Sequence, residues 1–129
     1  MRSGIRVAYD NPEKSVLRWE FRGRWTWDDW YQGVQRALEL RRAIYEKPCV
    51  PAIFDMKGAG PVPMGLLPHA RAAAEMMDPR DYVVIAHASG FIRSVTETFR
   101  LLNPSFRDKV LLANSVEDAR ALITRLLHP

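Results

Sequence analysis

Pro48-Cys-Val-Pro-Ala-Ile-Phe-Asp-Met-Lys-Gly-Ala-Gly-Pro-Val-Pro-Met-Gly-Leu-Leu67 is the stretch on which the fold turns. Val50, Ile53 and Phe54 form a brief apolar run with β-branched content, the pattern of a short buried strand. Asp55 stands at its carboxyl end, and glycines and prolines then punctuate a loop before a helix resumes. In an open α/β sheet, ligands and partners are engaged at this kind of junction, outside the carboxyl ends of the strands. The loop carries no recognisable catalytic signature.

Upstream, Ile5 to Tyr9 alternates apolar and polar residues, Asp10-Asn11-Pro12-Glu13 supplies turn chemistry, and a second alternating run begins at Val16. Leu17, Trp19 and Phe21 face one way and Arg18, Glu20 and Arg22 the other, so this is a β-hairpin with one wet face. Gly23 marks a bulge or the strand's end. Thr26 offers an N-cap, Asp28 and Asp29 favour the positive end of the helix dipole, and a helix is predicted from Trp27 to Glu46. Its apolar stripe is Trp30, Val34, Ala37, Leu38, Ile44 and Tyr45, with Gln35, Arg36, Glu39 and Arg42 outside. Lys47-Pro48 ends it.

Downstream, Pro68 fits the first turn of an alanine-rich helix that continues through Met77, and Asp78-Pro79 breaks it. Tyr82 to Ala86 is a β-branched run suited to a central strand buried on both faces. Ser89-Gly90 opens a helix carrying Phe91, Ile92, Val95, Phe99 and Leu102 on one face, stopped by Asn103-Pro104. Val110 to Ala113 is the last strand. Ser115, with Asp118 three residues on, caps a final helix whose apolar face runs from Val116 to Leu127. The predicted order is β-β-α-β-α-β-α-β-α, an α/β fold in which right-handed parallel units follow an antiparallel edge hairpin.

The chain has 129 residues, the size of one domain, and residues 1–129 read as a single unit. No apolar run approaches the roughly 20 residues that cross a bilayer. The amino terminus has no apolar signal core and Cys49 has no second cysteine to pair with, so the cytoplasm is the expected compartment. Net charge is +4, but the positive residues are interleaved with acidic ones and form no block.

From Ile5 to Leu127 the chain resembles the STAS domain fold, in particular its SpoIIAA-like branch of anti-sigma-factor antagonists. The resemblance rests on Val16 to Thr26, on the strand end Ile53-Phe54-Asp55-Met56-Lys57-Gly58, on Tyr82 to Ala88 with the helix after it, and on Ser115-Val116-Glu117-Asp118-Ala119. It implies a non-catalytic regulatory module that binds another protein or itself. Family members of the sporulation-regulator type carry a phosphorylatable serine where this chain reads Pro63-Met64-Gly65. No serine or threonine lies between Pro48 and Arg80, so a phosphorylation switch is not expected here.

The candidate partner- or ligand-binding residues are Asp55, Lys57, Met64, His69, Trp25 and Trp27. Met64 is an adaptable apolar contact beside the helix start. Asp55 and Lys57 could serve as a general base and an electrophile, but without a second convergent acid they read as a solvated ion pair or a loop-ordering carboxylate, and no catalytic residue is assigned. Trp25 and Trp27 are read as free to stack or to form a protein interface, Trp19 and Trp30 as core. Aromatics interleaved with arginine also occur in single-strand binders, but core packing accounts for most of this cluster, and nucleic acid is not the expected partner. His69 and His87 lack a third ligand, so no metal is expected, and no cofactor motif is present. Cys49 reads as a small buried hydrophobe. The rival reading is a small-molecule binder or enzyme that holds an apolar or acidic ligand over Asp55, Lys57 and the Met64 loop.

Overall fold

The computed structural model describes residues 3–129 and contains one five-stranded sheet in the order β1-β2-β3-β4-β5. β1 (Ile5–Tyr9) pairs antiparallel with β2 (Leu17–Gly23). β3 (Ala52–Ala59), β4 (Val83–Ala86) and β5 (Val110–Ala113) then add in parallel. The helices are α1 (Trp27–Arg42), α2 (Leu66–Met76), α3 (Gly90–Leu102) and α4 (Val116–Leu127). This is the predicted ββαβαβαβα topology.

Local chemistry starts each element where the sequence signals it. Thr26 accepts from the backbone N–H of Asp29 while the Asp29 carboxylate accepts from that of Thr26, a complete capping box. Ser89 and Ser115 cap α3 and α4 by accepting from the backbone N–H of Ile92 and of Asp118. Gly23 takes a φ of +54° at the end of β2, and the register with β3 shifts between Glu20 and Arg22, so strand end and irregularity lie together.

Because strand order advances steadily from β2 to β5, right-handed crossovers carry α1, α2 and α3 to one face of the sheet. Trp19, Phe21, Ala52 and Phe54 meet that layer. Ile53, Val84 and Ala86 point the other way, fully buried under Val116, Ala119 and Ile123 of α4. α4 is also tied to the hairpin, since Arg120 donates to both carboxylate oxygens of Asp10 at 2.9 and 2.8 Å.

At the amino edge of the sheet, Arg41 lies on the buried side of α1. Its Nε donates to Asp81 Oδ2 at 2.7 Å, and its two terminal nitrogens donate to the carbonyls of Ile44 and Lys47. Asp81 Oδ1 in turn accepts from the backbone N–H of Val50. One ion pair thus joins the end of α1 to the approaches of β3 and β4.

Several packing expectations are corrected. α1 ends at Arg42, four residues before Glu46, and the chain continues in hydrogen-bonded turns to Lys47. Tyr45 is 72% exposed, having left the helical stripe with that change of geometry. On α3 the buried face is Ile92, Thr96 and Phe99, which leaves Phe91 and Leu102 in solvent. Cys49 is half-buried.

Arg41→Met leaves the Asp81 carboxylate charged and without its guanidinium in a buried site, and such breakage costs about 3–5 kcal/mol. Urea unfolding of this variant should show a loss of that size, and a change under 1 kcal/mol would mean that the pair is dispensable.

Candidate functional site

Between the sheet and the helices α1, α2 and α3 lies a cavity of about 190 Å³. Its floor is Leu17, Trp19, Phe21, Phe54, Met56 and Ile85 of the sheet. Trp30, Val34 and Leu38 of α1 and Ile92, Val95 and Phe99 of α3 form its sides. α2 contributes Leu66, Ala70, Ala73 and Ala74, and Arg41, Asp78 and Asp81 stand at the amino-edge end. α2 faces the aromatic floor with alanines, whose methyl groups fill little of the space. No residue of α2 is fully buried.

α2 is fastened at its amino end by a small cluster. The Trp27 indole stacks on the His69 ring with centroids 4.1 Å apart and donates from Nε1 to the Met64 carbonyl at 2.7 Å. Tyr31 Oη and His69 Nδ1 share a hydrogen bond of 2.7 Å. Gly65, at a φ of +89°, makes the left-handed turn into the helix that a residue with a side chain adopts only under strain. Beyond its other end, Asp78 receives hydrogen bonds from Arg80, which hold its carboxyl well below the usual carboxylate range.

The sequence-derived candidates divide. Trp27, His69 and the Met64 backbone come together in the α2 fastening, and the Met64 side chain is 94% exposed. Trp25 is not free at the surface: it is 4% exposed, its ring 5.3 Å from Phe21 and 6.1 Å from Trp30, and it lines the cavity. The hairpin-to-helix turn folds it inward, which strand and helix periodicity do not register. The expectation that Asp55 ends the strand is corrected: β3 runs on to Ala59, so Asp55 and Lys57 lie within it, and they line no part of the cavity; Asp55 Oδ1 accepts from the backbone N–H of Lys57. Among the described residues no group of three or more His, Cys, Asp or Glu is placed to hold a metal ion, and no helix is long and apolar enough to cross a membrane.

Sequence reasoning missed the buried pair Arg41 and Asp81 and the cavity itself. Arg41 carried a usable signal, since it falls seven residues after Val34 on the same helical face. Two buried indole nitrogens, Nε1 of Trp25 and of Trp30, have no hydrogen-bond partner among the described residues. The Tyr82 hydroxyl is also unpartnered, and burial, with Cys49 nearby, pushes it up to about 12. Comparison with protein-family models, curated proteins and solved structures finds no match to this chain.

Burial and the Asp81 carboxylate push the Cys49 thiol above its ordinary value, which lowers the thiolate fraction at neutral pH. Alkylation of the native protein at pH 8 should therefore run slower than that of an unstructured peptide thiol, and its rate should still be climbing beyond pH 9. Native labelling as fast as the peptide's would contradict a structural role for this cysteine.

Proposed function

We propose that the chain binds a small apolar molecule in the cavity beneath α2. The observation that carries this reading is an interior space of about 190 Å³ lined almost throughout by apolar side chains. For scale, an engineered apolar cavity of about 150 Å³ stays dry and takes up benzene. The reading keeps the small-molecule alternative drawn from the sequence but moves its site from the Asp55, Lys57 and Met64 loop to the space behind it. Two features support access from the α2 side: the helix has no fully buried residue, and its amino end is held by half-exposed groups. No convergent acid, base or nucleophile lies among the cavity residues outside the paired Arg41, Asp78 and Asp81, so the reading is binding without catalysis.

Isothermal titration with α-methylstyrene, a single-ring hydrocarbon, tests it. Ala73→Leu should fill part of the cavity, lower the affinity by about tenfold or more, and leave stability equal or raise it by about 1 kcal/mol. Absence of binding to the unaltered chain would remove the proposal.

A second reading is favoured by the Met64 side chain, 94% exposed on a loop stiffened by Pro61 and Pro63. Resemblance to the SpoIIAA-like branch of the STAS fold supports it: there the chain is a regulatory module that docks a protein partner or a second copy through this loop. The fold found here, a mixed five-stranded sheet with an antiparallel edge, is compatible with that family. Met64→Arg should weaken self-association, read by sedimentation at high protein concentration, by roughly 2 kcal/mol, the scale of a hot-spot side chain. An unchanged sedimentation profile would remove self-docking at Met64.

A further inference from the structure

We propose that two copies of this chain pair through the outer edge of β5, as a symmetric dimer in which one sheet runs through both. β5 hydrogen-bonds to β4 alone, and among the described residues no strand lies beyond it. Open edges are normally guarded by a charge, a proline or a bulge, because their free N–H and C=O groups accept another strand. The opposite edge, β1, carries the exposed Arg6. β5 is Val110-Leu111-Leu112-Ala113, half-buried at every position, in regular register with β4 and without any such guard.

α4 identifies the occupant. Its Arg120 flank is turned to the hairpin by the bonds to Asp10, so the flank with Asp118, Leu122, Arg125 and Leu126 turns the other way, to the β5 edge. There Asp118, Leu122 and Arg125 line a shallow groove with Leu112 and Ala113, and Leu126 is 47% exposed. Asp118 and Arg125 are exposed, and neither has an ion pair among the described residues. The third charged residue of the groove, Arg93, is held by Asn114 Oδ1. Along α4 the stripe therefore reads acid, leucine, base, with the two charges about two turns apart. A two-fold axis turns it end for end, so each copy's Asp118 meets the other copy's Arg125 and the leucines meet at the centre. The spacing agrees: strands pair about 4.8 Å apart and α4 packs over β4 and β5, so joined β5 edges set the two α4 axes about 10 Å apart, the ordinary separation of packed helices. One axis thus satisfies the open strand, the exposed leucines and both free charges.

Sedimentation of the full chain should show a monomer–dimer equilibrium. Asp118→Arg and Arg125→Asp should each weaken the dimer about tenfold or more, since each sets like charges against one another at both ends of the stripe. Mixed one to one, the two variants should associate with each other about as tightly as the unaltered chain does with itself, because both ends are then complementary again. A merely structural effect of either change would not be rescued by mixing. Met64→Arg should leave this dimer intact. A chain that stays monomeric at the highest soluble concentration would overturn the proposal, as would single variants that dimerise normally or a mixture that does not associate. Dimerisation lost in Met64→Arg and kept in both charge variants would place the contact at the loop and overturn it as well. Should a variant fail to fold, amide exchange in the unaltered chain decides: β5 amides should exchange more slowly above the sedimentation midpoint than below it, and equal rates would overturn the proposal.

Discussion

The buried contact between Arg41 and Asp81 is the constraint on which the rest of the arrangement depends. A guanidinium taken out of water must have its donors satisfied, and here two carbonyls of the turns after α1 and one carboxylate do so. The same carboxylate accepts the backbone N–H of Val50, just before β3, and Asp81 itself is two residues from the start of β4. Where α1 stops and where two central strands begin are therefore fixed together. The carboxyl edge is held differently: α2 is secured by a stacked imidazole and two hydrogen bonds in half-exposed positions. Such contacts open at lower free energy than a buried, multiply bonded ion pair.

That asymmetry shapes the interior. α1 packs tightly because Gly33 has no side chain, and a Cβ there would lie 2.9 Å from the Trp19 ring. α2 presents alanines instead, and the volume opposite Trp19 and Phe54 stays open. Unfilled apolar space forfeits packing contacts and so costs stability. A longer aliphatic side chain on α2 would recover part of that stability.

Much of the architecture is legible in the amino-acid sequence because its signals are local. Thr26, Ser89 and Ser115 mark helix starts through hydrogen bonds that span three residues, and the alternation in Ile5–Tyr9 and Leu17–Gly23 fixes both hairpin strands. Features that depend on how elements approach one another are not legible. Trp25 sits outside any periodic run, and only the close turn from β2 into α1 carries it into the core. Arg41 is a charged residue on an apolar face whose partner lies 40 positions away. Phe91 and Leu102 belong to the predicted apolar face of α3 by spacing, yet the helix meets the sheet through Ile92, Thr96 and Phe99, a face rotated away from both.

The displacement of the candidate site follows from the same distinction. Position at a strand's carboxyl end drew attention to Asp55 and Lys57, and in many α/β folds that would place them against a ligand. Here β3 runs on to Ala59, so Asp55 and Lys57 lie within the strand, where the Asp55 carboxylate accepts from the backbone N–H of Lys57, and α2 begins only at Leu66. What α2 faces is aromatic surface, with the Arg41–Asp81 ion pair toward the amino edge of the sheet. Desolvation disfavours an unpaired charge in so apolar a space, which is why the only charged groups at its margin, among the described residues, are the paired Arg41, Asp78 and Asp81.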